Sequence, residues 1–352
     1  MLKVFVALSG GVDSSVAALL LKKGGFSITG VYMRLSDNYK EGEKMARTVA
    51  KKLKIRFFVF DLRKEFKKRV IDYFLKQTKA GLTPNPCVIC NEEIKFGLFL
   101  KKSLETGADL IATGHYARIR DTRYKIQDTR YTLLKARDRN KDQSYFLWRL
   151  RQKQLSRVIF PLGNYAKPQV REIAKKAGLP TAMAKESQDL CFLKNDIASF
   201  LKKHLKMKPG LIVDNEGKAI GKHLGLGFYT IGQSRGFGSD IFPENQSQGP
   251  YYVLMKEIRK DRLIVTKDKK DLLGRECLIE EINWISGRMP VLPLKVNVKI
   301  RSQQKEVPAV ISKTKKTNQF LIKFAKPQLA ITPGQSAVFY KGRELLGGGI
   351  IN

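Results

Sequence analysis

The spacing of apolar residues changes along the chain, and each pattern predicts a different kind of structure. In the first part, short apolar runs alternate with segments whose apolar residues share one helical face, as Val16, Leu19 and Leu20 do. The runs are typical of buried strands and the spaced segments of helices. The strands are predicted at residues 3–8, 27–33, 56–60 and 110–113, and the helices at 15–23, 41–53 and 165–177. Strands separated by helices indicate an α/β fold with a doubly wound, mostly parallel sheet.

Beyond about residue 205 the helical spacing fades, and short β-rich segments with Gly and Pro turns take over. Regularly spaced short strands with turn signals predict small β-barrels or sandwiches. We therefore expect an α/β domain at 1–205, a small β-rich linker domain at 206–270 and a C-terminal β-barrel at 271–352. Within the first domain, the tetrad Asp-Thr-Arg-Tyr occurs at 121–124 and again at 128–131, which favours a hairpin there.

Composition narrows the class of partner. The 352 residues carry 67 Lys and Arg against 32 Asp and Glu, a net charge of +35. This excess points to a polyanionic partner, either nucleic acid or an anionic membrane, although it is spread along the chain and forms no single dense patch. No apolar run reaches the roughly 18 residues of a membrane-spanning helix, and residues 1–8 read as a strand and not as a signal peptide. Four cysteines make no disulfide framework, which favours a reducing cytoplasm. The charge supports nucleic acid as the partner, while a high Lys and Arg content common to a whole proteome is the alternative explanation.

Residues 9–14, Ser-Gly-Gly-Val-Asp-Ser, lie between the first predicted strand and the first predicted helix. Two glycines let the backbone turn sharply and approach a phosphate closely, and the helix that follows offers free N–H groups and a positive dipole end. Ser9 and Ser14 add hydroxyl donors, and Asp13 is a candidate Mg²⁺ ligand. Because the segment lacks the lysine of the G-x-x-x-x-G-K-[ST] loop, it suits pyrophosphate at least as well as a β/γ-phosphate pair.

The cysteines fall into two kinds of surroundings. Cys87 and Cys90 form a Cys-x-x-Cys pair in a proline-stiffened loop that leads into a predicted helix. A helix N-terminus stabilises a thiolate, so the pKa of a cysteine there is expected to fall. Cys191 lies among Glu, Gln and Asp, whereas Cys277, in the β-rich part, is interpreted as a small buried apolar residue. A Cys-x-x-Cys pair also suits a redox or zinc site, but a four-ligand zinc site lacks its second pair of ligands.

These motifs resemble known proteins at two levels. Ser-Gly-Gly-Val-Asp-Ser after a first strand is similar to the loop of the PP-loop ATP pyrophosphatase superfamily, whose adenine nucleotide alpha hydrolase-like members adenylate a carbonyl oxygen and release pyrophosphate. An ordered set of segments between residues 4 and 351 resembles the tRNA-specific 2-thiouridylase family. The set comprises 9–14, 30–33, 83–96, 112–118, 141–147, 186–192, 229–233 and 332–337.

The resemblance implies a role for each segment. ATP would be bound by Ala7, Leu8, Ser9, Gly10, Gly11, Val12, Asp13, Ser14, Met33 and Gly114. Cys90 would be the nucleophile and Cys191 would carry a persulfide sulfur, leaving a transient disulfide between them. The target base would face Asn85, Pro86 and Cys87. The tRNA would be contacted by His115, Lys141, Asp142, Gln143, Arg301, Ser302 and Gln335.

The implied reaction is ATP- and Mg²⁺-dependent thiolation of the wobble uridine in tRNA for Lys, Glu and Gln. The 2-oxygen would be adenylated and then replaced by sulfur, with release of AMP and pyrophosphate. The implied partners are tRNA and a sulfur-donor protein, either a cysteine desulfurase or a relay protein. The enzyme would act as a monomer and without a membrane.

The chain departs from the family at three positions. Cys87 stands where many members carry Asp, so Cys87, Cys90 and Cys191 supply three thiolates that could ligate an iron–sulfur cluster with one open iron. Two routes of sulfur delivery stay open, the persulfide on Cys191, which is favoured, and this cluster. Ser234 replaces a usual Arg and Ser302 a common Tyr, which affects tRNA contacts and not the reaction. Two rival interpretations are another PP-loop ligase, which needs no paired cysteines, and a non-catalytic tRNA-binding protein.

Overall fold

Three β-sheets organise the chain. The computed structural model describes residues 1–121, 131–184, 191–193, 196–247 and 250–352. The first sheet contains five strands, the second four and the third eight. None of the helices in these ranges is long and apolar enough to cross a membrane.

The first sheet is parallel and confirms the predicted α/β fold. Its strands are β1 (Lys3–Ala7), β2 (Ser27–Arg34), β3 (Arg56–Asp61), β4 (Leu110–Ala112) and β7 (Val158–Ile159). They lie in the order β3-β2-β1-β4-β7, so β1 pairs with β2 on one side and with β4 on the other. The strand order therefore reverses beside β1, and in such sheets ligands bind beyond the carboxyl ends of the strands at the reversal.

Helices cover the faces of this sheet. They are α1 (Val12–Lys23), α2 (Lys40–Leu53), α3 (Arg63–Phe66), α4 (Asp72–Lys79), α5 (Pro86–Ile89), α6 (Phe99–Glu105), α7 (Gln152–Leu155), α8 (Lys167–Lys176) and α9 (Ile197–His204). Helices α1, α2 and α8 confirm the three predicted helices, but α1 begins earlier than expected because Gly11 is its N-cap. Ala17 and Ala18 of α1 are fully buried against Val4 and Val6 of β1. Two π-helical segments, Lys67–Ile71 and Cys90–Leu98, interrupt the helical layer.

The other two sheets lie mainly in the second half of the chain. The mixed sheet contains β8 (Gly210–Val213), β9 (Ala219–His223), β10 (Tyr252–Glu257) and β11 (Arg262–Thr266), with α10 (Pro243–Gln246) nearby. The antiparallel sheet contains β12 (Leu273–Trp284), β13 (Leu294–Lys299), β14 (Val307–Lys313), β15 (Phe320–Leu329), β16 (Ser336–Lys341) and β17 (Glu344–Ile351). Because β12 pairs with both β15 and β17, these strands close into the predicted C-terminal barrel. Short 3₁₀ turns occur at Ser144–Leu147, Leu226–Phe228, Gly238–Asp240, Ile258–Lys260 and Lys269–Leu272.

A hairpin from the first part of the chain extends the barrel sheet. β5 (Ala117–Asp121) pairs antiparallel with β6 (Tyr131–Lys135), as predicted, and β6 pairs with β17. Most of the two repeated tetrads, residues 122–130, lies outside the described residues. The buried Lys135 ammonium at the end of β6 lies 2.5 Å from Glu306 Oε1 and donates to the Gly342 carbonyl at 2.7 Å. Burial lowers the pKa of Lys135 and Glu306 opposes that shift, so the pair fixes the hairpin to the barrel.

Replacing Glu306 by Gln is expected to lower the free energy of unfolding by about 3 kcal/mol, because Lys135 then stays buried without its counter-charge. The double variant Lys135→Met/Glu306→Leu should recover most of that loss, since no buried charge remains. Urea unfolding followed by circular dichroism measures both. The control is Glu344→Gln, which removes an exposed ion pair with Arg120 and should change the free energy by less than about 0.5 kcal/mol. Equal losses in the two single variants would contradict a structural role for the buried pair.

Candidate active site

The loop after β1 is stabilised by hydrogen bonds that its own serines form. The Ser9 N–H donates to Ser14 Oγ at 3.1 Å, and Ser14 Oγ donates to the Gly11 carbonyl at 3.1 Å. Gly11 caps α1 without a side-chain hydrogen bond. The first N–H groups of a helix have no intrahelical partner, so those of α1 are directed into this loop and suit an anion.

Two glycines allow α2 to approach this loop at backbone distance. Gly10 has φ +82°, and a Cβ built there would lie 2.6 Å from the Gly42 carbonyl oxygen. A Cβ on Gly42 would in turn lie 2.6 Å from Tyr32 Oη and 3.3 Å from the Ser9 carbonyl oxygen. The first turn of α2 therefore forms one wall of the loop. Sequence analysis identified Gly10 and missed Gly42, whose only signal was a glycine inside a predicted helix.

Asp13 is engaged with a lysine that sequence analysis also missed. Lys167 Nζ donates to both Asp13 carboxylate oxygens at 2.7 Å, and Tyr116 Oη donates to Oδ1 at 2.8 Å. Lys167 is buried at the first residue of α8. A cation at a helix N-terminus opposes the helix dipole, so this lysine before Pro168 was an available signal. The carboxylate expected to hold Mg²⁺ is paired with an ammonium in this structure.

The predicted ATP residues lie together at the carboxyl edge of the sheet. Ala7 ends β1, and the Leu8 N–H donates to the Val31 carbonyl at 2.8 Å. Gly114 follows β4, and a Cβ there would lie 2.9 Å from the Ser14 nitrogen, so only glycine fits. Met33 lies near the end of β2 and is partly buried. These residues surround the point where the strand order reverses, and their contact with ATP stays a prediction.

Cys90 begins a π-helical segment and is nearly inaccessible. It is 6% exposed, and burial raises the pKa of its thiol to about 12. The expectation that a helix N-terminus lowers the cysteine pKa is therefore wrong for Cys90, because loss of water destabilises the thiolate more than the dipole stabilises it. The thiol is neutral at physiological pH in this structure.

Cys191 lies beside Cys90 although the two are far apart in sequence. Cys191 is exposed, and Phe192 next to it is buried in the same apolar cluster as Cys90. The Phe192 ring lies edge-on to Phe66 and Phe74, with centroids 6.0 and 5.9 Å away. Desolvation by the surrounding chain raises the pKa of Cys191. All four cysteines are free thiols, and residues 186–190 of the predicted motif lie outside the described part of the chain.

The apolar cluster around Cys90 reaches the carboxyl edge of the sheet, because Met33 and Phe60, near the ends of β2 and β3, pack against it. A Cys191 thiolate would raise the pKa of both Cys90 and Tyr32. Tyr32 Oη donates to the Tyr39 carbonyl at 3.1 Å, immediately before α2. Tyr32, which adjoins Gly42 in the wall of the loop, is therefore within electrostatic range of Cys191.

Lys95 is the cation that these groups share. Hydrogen bonds in a π-helix span five residues, so Lys95 follows Cys90 by one turn on the same side. Its charge lowers the pKa of Cys90, Cys191 and His115. Sequence analysis missed Lys95, although a lysine five residues after Cys90 was visible in the sequence.

His115 and Cys277 occupy buried positions. His115 is 9% exposed between Phe96 and Phe160, and its Nδ1 lies 2.7 Å from Thr113 Oγ1. Burial lowers the pKa of His115 well below its usual value, so its ring is neutral. Cys277 is buried in the barrel core, as predicted.

Other residues predicted to contact tRNA use their side chains within the protein. Asp142 Oδ1 accepts from the Ala136 N–H at 2.9 Å, and Gln143 Oε1 accepts from the Tyr116 N–H at 3.0 Å. Lys141 is half-buried. Gln143 thus supports the segment that follows β4, and Asp142 supports the segment that follows β6. The contact of these residues with tRNA stays a prediction.

Arg301 and Gln335 join separate parts of the chain. Arg301 Nη2 donates to the Ala330 carbonyl at 2.9 Å and to the Ile231 carbonyl at 3.3 Å. Gln335 Nε2 donates to the Thr83 carbonyl at 2.7 Å. Ser302 is half-buried. The barrel thus reaches the loop that carries Asn85, Pro86 and Cys87.

The cysteines do not assemble a cluster site. Among the described residues, no three His, Cys, Asp or Glu side chains come together as ligands for a metal. Cys87 is half-buried at the start of α5, Cys90 is buried and Cys191 is exposed. The donor set does not fit an iron–sulfur cluster in this structure, and we derive no step through one.

Family models match three consecutive parts of the chain. The model described as tRNA methyl transferase HUP domain matches residues 2–195. The model described as tRNA methyl transferase PRC-barrel domain matches 198–267, and that described as aminomethyltransferase beta-barrel domain matches 274–351. Together they account for almost the whole length.

Curated relatives match over nearly the entire chain. The tRNA-specific 2-thiouridylase MnmA of Syntrophomonas wolfei is 43% identical over 350 residues, covering 99% of this chain and 100% of the relative. MnmA of Treponema denticola is 43% identical over 365 residues, covering 99% and 98%. A solved 4-thiouridine synthetase in complex with RNA and bound ATP is 23% identical, with a TM-score of 0.34, over 57% of this chain and 49% of its own.

A parallel sheet with a Ser-Gly-Gly-Val-Asp-Ser loop at its reversal point defines a PP-loop nucleotide-binding fold. The family models are described by methyl transfer, whereas the relatives that cover the whole chain are named thiouridylases. On that full-length identity, the chain belongs to the tRNA-specific 2-thiouridylase family.

Cys191 is expected to react with iodoacetamide faster than Cys90 in the folded protein between about pH 7 and 9. The thiolate is the reactive species, and a pKa raised to about 12 keeps Cys90 protonated across this range. Each pH unit below the pKa lowers the thiolate fraction about tenfold. Cys191 also has a raised pKa, but it is exposed. Timed alkylation with peptide mass spectrometry measures both rates.

Cys277 is the internal control, because burial raises its pKa to about 12 as well. It should react as slowly as Cys90, and all cysteines should react alike in urea. Lys95→Met should slow Cys191 further and Lys95→Arg should restore it, since Lys95 favours the thiolate. Faster labelling of Cys90 than of Cys191 would contradict this order.

Gly10→Ala is expected to weaken ATP binding by roughly tenfold or more, because the added Cβ collides with the Gly42 carbonyl. The matched control is Gly25→Ala, which has φ +81° and nothing within 4 Å of the built Cβ. That variant carries only backbone strain, about 1–2 kcal/mol, and should bind ATP normally. Calorimetry with a non-hydrolysable ATP analogue compares them, and equal affinities would exclude the loop as the nucleotide site.

Proposed function

We propose that this protein is a tRNA 2-thiouridylase, which activates the 2-oxygen of a uridine with ATP and replaces that oxygen with sulfur. The observation that carries the proposal is that Cys90 and Cys191, distant in sequence, lie beside the edge that holds the phosphate loop. Full-length relatives named tRNA-specific 2-thiouridylase support the substrate class. The proposed target is the wobble uridine of tRNA for Lys, Glu and Gln.

The three parts of the chain divide the work. We assign ATP binding and catalysis to residues 1–205. We assign most of the tRNA binding to 206–270 and 271–352, in keeping with the separate sheets and family matches. A net charge of +35 suits a polyanion held by phosphate contacts and by shape. One chain provides every residue of the proposed site, so the enzyme acts as a monomer.

Activation takes place on the loop after β1. The uridine 2-oxygen attacks the α-phosphorus of ATP, and pyrophosphate leaves with its charge stabilised by the N–H groups of the loop and α1. Mg²⁺ bound with ATP would neutralise phosphate charge, and Asp13 could hold it only after releasing Lys167. Lys167 would then face the phosphates.

Sulfur transfer uses the two cysteines in sequence. The exposed Cys191 carries a terminal persulfide, delivered by a cysteine desulfurase or relay protein, and its outer sulfur attacks C2 of the adenylated base. The Cys90 thiolate attacks Cys191 Sγ, and the sulfur–sulfur bond breaks with its electron pair on the transferred sulfur. The C2–S⁻ group becomes a thiocarbonyl as AMP leaves, and a Cys90–Cys191 disulfide remains. An external thiol reductant restores both cysteines.

Two features of the site assist this transfer. Cys90 is neutral in the free protein, so it must lose its proton during the reaction, and Lys95 favours the thiolate. The target base must leave its stack to reach Asn85, Pro86 and Cys87. Cys87 is half-buried and stands where many family members have an Asp that acts as a proton donor or acceptor. In this chain the Cys87 thiol would face the target uridine in place of that Asp.

The test is nucleoside mass spectrometry on unmodified tRNA for Lys, Glu or Gln. The tRNA is incubated anaerobically with protein, ATP and Mg²⁺, with either sulfide or a persulfide-generating desulfurase. We expect 2-thiouridine at the wobble position, lost in Cys90→Ser and Cys191→Ser and retained in Cys277→Ser. Dependence on the desulfurase supports the persulfide, whereas a brown protein that works with sulfide and fails as Cys87→Ser supports the cluster.

Two outcomes would overturn the proposal. ATP turnover that makes no thiouridine and survives Cys90→Ser would indicate another PP-loop ligase. Tight tRNA binding without tRNA-dependent ATP turnover would indicate a non-catalytic tRNA-binding protein.

A further inference from the structure

The backbone just before the target-base loop is held by the C-terminal barrel. The Thr83 N–H donates to the Pro333 carbonyl at 3.0 Å, and Gln335 Nε2 donates to the Thr83 carbonyl at 2.7 Å. Gly334 has φ +90°, and a Cβ there would lie 2.9 Å from the Thr83 nitrogen. Both hydrogen-bonding groups of Thr83 are therefore satisfied by one turn of the barrel.

The same backbone is held two residues earlier by the mixed sheet. Lys256, in β10, donates from Nζ to the Gly81 carbonyl at 2.8 Å. Burial lowers the pKa of Lys256 to about 8, and no carboxylate in the described part of the chain forms an ion pair with it. Ile258, just after β10, packs its Cδ1 against Gly81. Lys256 is half-buried, and partial desolvation of an ammonium that has only a carbonyl as its partner costs free energy.

Pro84 and Pro86 stiffen the backbone between Thr83 and the residues assigned to the target base. The sequence from Thr83 reads Thr-Pro-Asn-Pro-Cys, so each residue of the target-base segment is a proline or adjoins one. Proline fixes its own φ and restricts the residue before it. A shift at Gly81 or Thr83 therefore moves Asn85 and Cys87 as a rigid piece.

We propose that Lys256 and Gln335 are positioning residues, which fix the Gly81 and Thr83 carbonyls from two sides and so set where Asn85–Cys87 meet the target base. The inference rests on the proposed function, because it takes this segment to be the one that meets the base. Arg301 strengthens the arrangement by linking the Ala330 and Ile231 carbonyls, which joins the barrel to the mixed sheet. The two units that we assign to tRNA thus align the catalytic loop together.

The experiment removes each contact while keeping the side chain's length and apolar stem. Lys256→Met and Gln335→Met should each lower kcat for thiolation roughly ten- to a hundredfold, as misplacement of a reacting group does, with a smaller change in KM for tRNA. Hydrogen exchange of the amides in residues 79–90 should become faster in the free protein. Lys256→Arg retains a donor and should keep near-normal kcat. Lys218→Met, at an exposed position of the same unit, is the matched control for the exchange measurement and should leave exchange in residues 79–90 unchanged.

Unchanged kcat and unchanged exchange in folded Lys256→Met and Gln335→Met would overturn the proposal, as would equally fast exchange of residues 79–90 in Lys218→Met. If Lys256→Met does not fold, Gln335→Met decides with the same two readouts. Wild-type protein that makes no thiouridine would refute the proposed function alone, because the exchange measurement needs no tRNA and still reports on the positioning contacts.

Discussion

Close contact between backbone segments at the carboxyl end of β1 is the constraint on which the candidate site depends. Gly10 meets the Gly42 carbonyl, and Gly114 meets the Ser14 nitrogen, both at distances that exclude a side chain. These contacts bring the ends of β1 and β4 and the starts of α1 and α2 around one space. The reversal of strand order beside β1 creates that space, and the unpaired N–H groups of α1 make it suitable for an anion.

Sulfur chemistry at this edge is governed by solvation. Cys90 and Cys191 share one apolar neighbourhood through Phe192, but one thiol is buried and the other is exposed. An exposed cysteine is accessible to a reactant from solution. A buried cysteine stays a neutral and unreactive thiol until it is deprotonated. The charge of Lys95 opposes part of the desolvation that raises the pKa of both thiols, so it stabilises either thiolate without making it the favoured form.

The barrel and the mixed sheet both form hydrogen bonds with the part of the chain that carries the candidate site. Hydrogen bonds from Lys256 and Gln335 reach the backbone that precedes the proline-rich loop. Several residues that the family resemblance assigns to tRNA contact, such as Arg301 and Asp142, form hydrogen bonds with backbone groups of the protein itself. They therefore help to build the frame of the site, whatever else they contact.

The sequence by itself determined the parallel sheet, the principal helices, the C-terminal barrel and the phosphate-loop motif, because hydrophobic spacing and turn residues act locally. It also indicated that Cys277 is buried, from its place in the β-rich part of the chain. Only the tertiary structure decided the pKa of Cys90, which follows from burial and overrides the helix dipole. It likewise decided the pairing of Asp13 with Lys167, the proximity of Lys95 to both cysteines and the hold of Lys256 on Gly81. These contacts join residues far apart in the chain or depend on desolvation, and neither leaves a periodic trace in the sequence.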